Sequence, residues 1–395
     1  DCGCSMVPPE RGWSQRWRTP LRAALDVLSA SAAAFFEEAG SELLVDPWAT
    51  RDGYGAVIDA PGEIRDAFIA TGGTPALAAG GAAARDRARL LLEMQRSALL
   101  MFASCGWYFD DIAGLETSLV LRLAAHTADL MNEAGGTPPL KQMLDLLATA
   151  KSNESHGDTG ADVFRQVAAD RVTPAHAVAT FALGLAGSPD GRAVAAPPGY
   201  TVEVLGESTR RTSDGVEISG QARPRCTRTG ATTTVAFSVR WSPRDGFRVL
   251  GGGVEITVEQ LGRESRHRLL PLLLPRLMNE AAPLPAAQLA LALGKDVVGS
   301  GAANEDVRTR EAYAQLLIRL LAEEPGLSPP VLETALRLID AAGLSLGAGA
   351  PARTVVEELV ADMLEAPNPP PHLGQLAERL GFAPDTDPAL AAPGA

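Results

Sequence analysis

Three carboxylates and three aromatic rings share ten residues of this chain: Trp107, Tyr108, Phe109, Asp110, Asp111 and Glu116. Two carboxyls facing each other across a bond, roughly 5 to 9 Å apart, can act as general acid and as base or nucleophile. Asp110 and Asp111 are adjacent at a helix start and point in different directions, so acid and nucleophile roles are not assigned to them. Two other readings stay open. The acids must stay wet while the rings seek burial, and the rim of a cleft satisfies both, which makes Trp107 with Asp110 or Asp111 the border of a concave surface near Glu116. Alternatively, the rings plug the end of a helix pair and one of the two Asp residues caps the next helix.

The elements that must position this corner are helical. From Leu90 to Phe102 the strong helix formers dominate, without Gly or Pro. Leu90, Leu91, Met94, Ala98, Met101 and Phe102 form an apolar stripe of helical spacing. Leu92, Leu99 and Leu100 fall off that stripe, which predicts a helix covered on more than one side. Gly106 and Gly114 then break the pattern, and Ile112, Leu115, Leu119, Leu123 and Leu130 begin a second one.

Other chemistries find little support. Ser104, Cys105, His126, His156 and His176 lack a Gly-x-Ser-x-Gly frame or a Cys-His signature. The histidines are isolated, with no His-x-x-x-His pair, so no metal or other cofactor is expected. The Gly-rich runs at 72–81 and 251–253 lack the Lys-Ser/Thr that follows a phosphate loop.

The 395 residues carry a net charge of −13, which speaks against nucleic acid or an anionic membrane as partner. Cys2, Cys4, Cys105 and Cys226 are too few and too scattered for a disulfide framework, so reduced thiols and a cytoplasmic location are expected. No run of eighteen apolar residues and no signal peptide is present. The chain opens on Asp, and the expectation is that the native protein continues upstream.

Taken in order, Asp1 to Pro9 reads as irregular, and Trp13, Trp17, Leu21, Leu25 and Leu28 start a helix to about Glu38, with Gly40 as its cap. Asp46-Pro47 opens a short helix, and an Ala-rich connection leads to the central helix pair. Helices follow over Leu140 to Ala150 and Ala161 to Leu185, with a break at Pro174. SPDGRAVAAPPG at 188–199 is the clearest linker. Beyond it, TVEVLGE, GVEISGQAR, TTTVAFSVRW and GGVEITVEQ alternate with period two, an antiparallel sheet of four or five strands. From Leu261 five helical patterns return, and the tail reads as disordered. The fold class is α+β, mainly α: a helical bundle over 1–190, a sheet segment over 198–260, a C-terminal helical subdomain over 261–385 and a disordered tail over 386–395.

Four ordered blocks carry a resemblance: DCGC at the start, GWSQRWRTPLRAALD, LLEMQRSALLMFASCGWYFDDIAGLET and AKSNESHGD. Together they resemble the helical region that follows the catalytic barrel in bacterial family 57 glycoside hydrolases related to α-amylases and α-mannosidases, a region called domain of unknown function 3536. The resemblance covers the first half well and the last hundred residues poorly. It implies the non-barrel part of an α-glucan-acting, retaining hydrolase or glucanotransferase, with the barrel as partner and an oligo- or polysaccharide as ligand. It also implies that this chain, lacking the barrel's acid and nucleophile, is inactive alone. Substrate contacts are implied for Trp107, which can stack on a sugar ring, for Asp110, Asp111 and Glu116, which can accept from hydroxyls, and for Trp13. A non-catalytic carbohydrate-binding or assembly module is the alternative.

Overall fold

The computed structural model describes residues 12–154, 158–169, 171–187, 197–213, 215–294, 303–343 and 351–381. The chain forms two compact units, Asp1–Arg171 with Arg225–Thr232, and Val172–Pro224 with Thr233–Ala395. The first unit thus takes eight residues from the sheet segment, and residues 188–196 of the linker lie outside the described residues. The irregular start at Asp1 to Pro9 and the tail at 386–395 lie outside the described residues.

The first unit holds α1 (Arg18–Leu43), α2 (Pro47–Tyr54), α3 (Gly62–Thr71), α4 (Pro75–Ala79), α5 (Gly81–Leu100), α6 (Leu115–Glu133), α7 (Leu140–Leu147) and α8 (Gly160–Ala169). Helix α1 buries Leu21, Leu25, Leu28, Ala32 and Phe36 along one face and packs on α5, α6 and α7. It does not stop at Gly40. That residue lies inside the helix against Pro47, where a Cβ would come within 3.2 Å of the ring. Asp46 caps α2 as expected, its carboxylate accepting from Ala49 N at 2.9 Å ahead of Pro47. The Ala-rich connection contains a short helix of its own, α4, capped by Thr74.

Two apolar clusters hold this unit. One joins Trp17, Leu21, Leu25 and Leu28 to Met101, Ile112 and Val120, and the other joins Phe36, Leu43 and Tyr54 to Leu91, Met94 and Met131. Each fully buried Leu or Met of this kind contributes about 1.5–3 kcal/mol. The face that α6 buries is Val120, Leu121, Ala124, Ala125 and Ala128, whereas Leu115 and Leu119 of the predicted stripe are exposed.

The second unit begins with α9 (Pro174–Gly187) and continues into β1 (Tyr200–Thr212), β2 (Gly215–Cys226), β3 (Val235–Ser242), β4 (Gly246–Gly251) and β5 (Val254–Glu255). The five strands follow one another in sheet order, and β2 to β5 pair antiparallel, so the fold is α+β and mainly α, as read from the sequence. The register places Ile218 opposite Val239 and Val239 opposite Val249, so Phe237, Val239 and Trp241 point one way into the core. Helix α9 covers that face, with Phe181 edge-on to Phe237 at 6.4 Å. Then come α10 (Arg263–Glu280), α11 (Pro283–Leu293), α12 (Ala303–Glu323), α13 (Pro329–Ala342), α14 (Pro351–Glu365) and α15 (Leu373–Leu380). Among the described residues no helix is long and apolar enough to cross a membrane.

Candidate functional site

The aromatic corner is built where α5 ends. A 3-10 turn over Ser104–Trp107 follows, and α6 starts at Leu115. Gly106 is required here, since a Cβ would fall 2.3 Å from Val120 Cγ2 and push α6 away. Thr117 ties the turn down by donating its hydroxyl to the Gly106 carbonyl at 3.1 Å and to that of Asp111 at 3.3 Å.

Asp111 is 4 % exposed, and its carboxylate is fully engaged. It accepts from Ala113 N at 2.7 Å, from Ser152 Oγ at 2.9 Å, from Glu154 N at 3.1 Å and from Asn153 N. Asp110, 6 % exposed, accepts from Gln15 Nε2, and its carbonyl accepts from Asn153 Nδ2. The Asn153 amide also joins Ser14, donating to its carbonyl and accepting from its N–H, both at 3.0 Å. Arg18 donates to the Phe109 carbonyl at 3.3 Å. Three of the four sequence blocks thus meet at one point: Ser14 and Gln15 from the stretch ahead of α1, Asp110 and Asp111 from the corner, Ser152 to Glu154 from the polar loop.

The carboxylates of Asp110 and Asp111 therefore hold the corner together and do not face an opening. What faces outward is apolar and aromatic. Tyr108 is 69 % exposed, and Phe109, Leu99 and Leu100 are exposed with it, as are Leu115 and Leu119 on α6. Leu99 and Leu100 thus leave α5 uncovered at its end, while Leu92, also off the predicted stripe, is buried. Trp107 is half-buried against the Val120 cluster, and Trp13 is half-buried. Glu116 is part-exposed and has no hydrogen-bond or ion-pair partner among the described residues. At the base, Gln15 Oε1 is buried without a partner. The corner offers one open carboxylate and a ring wall, which can bind but cannot supply an acid–nucleophile pair. Among the described residues no group of three His, Cys, Asp or Glu side chains could hold a metal ion.

A second polar cluster in the same unit escaped the sequence reading. Glu93 on α5, 2 % exposed, accepts from Tyr54 Oη at 2.8 Å and pairs with Arg96 at 3.4 Å and Arg228 at 3.5 Å. Burial, reinforced by the Glu93 charge, pushes the Tyr54 phenol up to about 12. One turn earlier the buried Arg89 pairs with Asp86 at 2.8 Å and with Asp66, and donates to the Thr229 carbonyl at 3.1 Å. Arg65 donates to the carbonyls of Thr227 and Arg228. These acceptors belong to the loop Arg225–Thr232, which closes on itself through Cys226 N to Ala231 O at 2.9 Å. Gly230, at φ +79°, lies where a Cβ would strike Asp86 and Arg89. The signal available in the sequence was negative: Glu93, Gln95 and Ser97 sit on a helix read as covered on several sides and needed buried partners, but the loop that supplies Arg228 is far off in sequence.

A family profile described as Domain of unknown function (DUF3536) matches residues 13–260. No curated protein and no solved structure matches the chain.

Proposed function

We propose that this chain, which belongs over residues 13–260 to the family described as Domain of unknown function (DUF3536), is the non-barrel portion of a family 57-like carbohydrate-active enzyme acting on α-glucans. In this reading it packs on a catalytic barrel and adds the Trp107 corner as one wall of the substrate cleft. The observation that carries the reading is the corner itself: three separate stretches are hydrogen-bonded together to hold outward Tyr108, Phe109 and Glu116, with Trp107 half-buried beside them. Aromatic faces suit the C–H faces of a sugar, and Glu116 accepts from hydroxyls. Asp110 and Asp111 act by holding the wall, and Trp13 precedes Ser14, which bonds to the loop they anchor.

The chain alone hydrolyses no glucan in this reading, because the acid and nucleophile reside in the barrel. The test is titration calorimetry with maltohexaose on the chain and on the chain reconstituted with a family 57 barrel. Trp107→Ala should weaken binding or turnover about tenfold while leaving the far-UV spectrum unchanged. Unchanged sugar affinity in Trp107→Ala, together with a lowered melting temperature, would make the ring core and sink the wall. Turnover of soluble starch by the pure chain, abolished by substitutions within it, would sink the non-catalytic assignment.

A second reading, an assembly module, is favoured by the aliphatic part of the exposed surface, Leu99, Leu100, Leu115 and Leu119. It is distinguished by substitutions there that change association and leave sugar affinity alone.

A further inference from the structure

In the second unit a cavity of about 220 Å³ opens beside α10 and α12, which are both packed against α11. Its lining is divided by chemistry. Leu270, Pro271, Leu274 and Pro275 of α10 give an apolar wall, and His267, Arg308 and Thr309 bring polar atoms. That volume is room for a small organic ligand.

Three features of this cavity bear on what it could hold. The Nε2 of His267 is buried and has no hydrogen-bond partner. The Arg308 guanidinium has no ion-pair or hydrogen-bond partner among the described residues. The third feature comes from the two prolines inside α10. Proline carries no N–H, so the carbonyls of His267 and Pro271 lack the donor four residues on, and each lies beside a proline ring that lines the cavity. A cation and an imidazole N–H are donors for a carboxylate. Two carbonyls that lack the usual donor four residues on are acceptors for an ammonium. The wall between them is aliphatic.

We propose that this cavity is a binding site for a small free α-amino acid with an apolar side chain. The carboxylate lies on Arg308 and His267 Nε2–H, the ammonium on the carbonyls of His267 and Pro271, and the side chain against Leu270 and Leu274. A plain carboxylate would leave the two carbonyls unmatched, and an uncharged apolar molecule would leave Arg308 unmatched as well. The site lies beyond the residues that the family profile covers, and the inference is independent of the carbohydrate reading.

The test is titration calorimetry on the full chain with L-leucine and L-valine as probes. Two companions dissect the ligand: 4-methylpentanoate, which lacks the amine, and leucinol, which lacks the carboxylate. Saturable binding of at least one amino acid is expected, with each leucine companion about fivefold or more weaker than leucine. Arg308→Gln, at an exposed position, should weaken the amino acid about tenfold. Pro271→Ala restores an N–H to the His267 carbonyl and should weaken leucine about fivefold while leaving 4-methylpentanoate unchanged. That pair of results separates loss of an acceptor from general damage to the cavity. Absence of saturable binding by both amino acids overturns the proposal, as does equal affinity for leucine and 4-methylpentanoate, or indifference of leucine binding to Arg308→Gln.

Discussion

The backbone N–H of Asn153 donates into the carboxylate of Asp111, and the same carboxylate accepts from Ala113, Ser152 and Glu154. One buried anion thus satisfies donors from two loops. Asp111→Ala would leave backbone N–H groups of both loops without an acceptor in the protein interior. The expected cost is about 2–4 kcal/mol in urea denaturation, with Asp111→Asn losing less because its amide oxygen still accepts. A loss below about 0.5 kcal/mol for Asp111→Ala would mean that the two loops do not depend on this anchor.

Arg89 serves two carboxylates and a backbone carbonyl from a buried position on α5. Arg89→Ala strands Asp66 and the Thr229 carbonyl and leaves Asp86 with Arg225 alone, and a loss of about 3–5 kcal/mol is expected. Arg89→Lys should recover only part of it, since a single ammonium cannot span the fork of three acceptors. Chemical denaturation of the two variants side by side measures the difference.

Alkaline stability reports on the Tyr54–Glu93 bond. The phenol is raised by burial and by the Glu93 charge, from an ordinary 10.0 to about 12. The unfolded chain therefore releases this proton first. The stabilisation is complete below pH 10 and is lost as pH climbs from about 10 to 12. Tyr313, raised to about 12 by burial in the second unit, adds a second loss in the same window. Tyr54→Phe should be about 1 kcal/mol less stable at neutral pH, having lost one hydrogen bond to a carboxylate, and should show a shallower decline above pH 10. A decline as steep as in the parent protein would show that the Tyr54 proton is not held.

The exposed aliphatic residues of α6 make a prediction of their own. Leu115 is 81 % exposed and Leu119 lies one turn along the same face. A Leu115→Asp, Leu119→Asp variant should keep its melting temperature within about 0.5 kcal/mol equivalent, because little burial is lost, and should associate less. Sedimentation velocity over a concentration series measures this. A variant that associates as the parent does would show that the patch is not an association surface.

Much of the fold is legible in the residues because local rules and packing agree there. The Asp46-Pro47 start of α2, the period-two strands around Val239 and the helix break before Pro174 each follow from backbone chemistry that no distant contact overrides. Two of the misreadings share one cause, a tertiary contact that reverses a local cue. Gly40 reads as a helix end but supplies clearance for Pro47. Leu115 and Leu119 read as a core stripe, yet the smaller Ala124, Ala125 and Ala128 let helices approach more closely and take the buried face. Helix α11, rich in Ala and opened by Pro283, showed too weak a periodicity to be read at all. At the corner the residue types pointed to the right place, but the exposure of the two Asp residues depended on Ser152–Glu154, and spacing alone cannot reveal such a partner.

The loop Arg225–Thr232 has a consequence for the order in which the molecule can be made. It belongs to the helical unit but is encoded after two strands of the other. During synthesis on a ribosome, α1 to α8 emerge first, with Arg65, Arg89 and Glu93 still lacking their partners in that loop. The nascent helical unit therefore holds Arg89 by Asp66 and Asp86 and Glu93 by Tyr54 and Arg96, without the share of partners that the loop brings. A fragment cut at the 188–199 linker lacks these partners, and a separately supplied peptide spanning 225–232 carries the groups that would restore them.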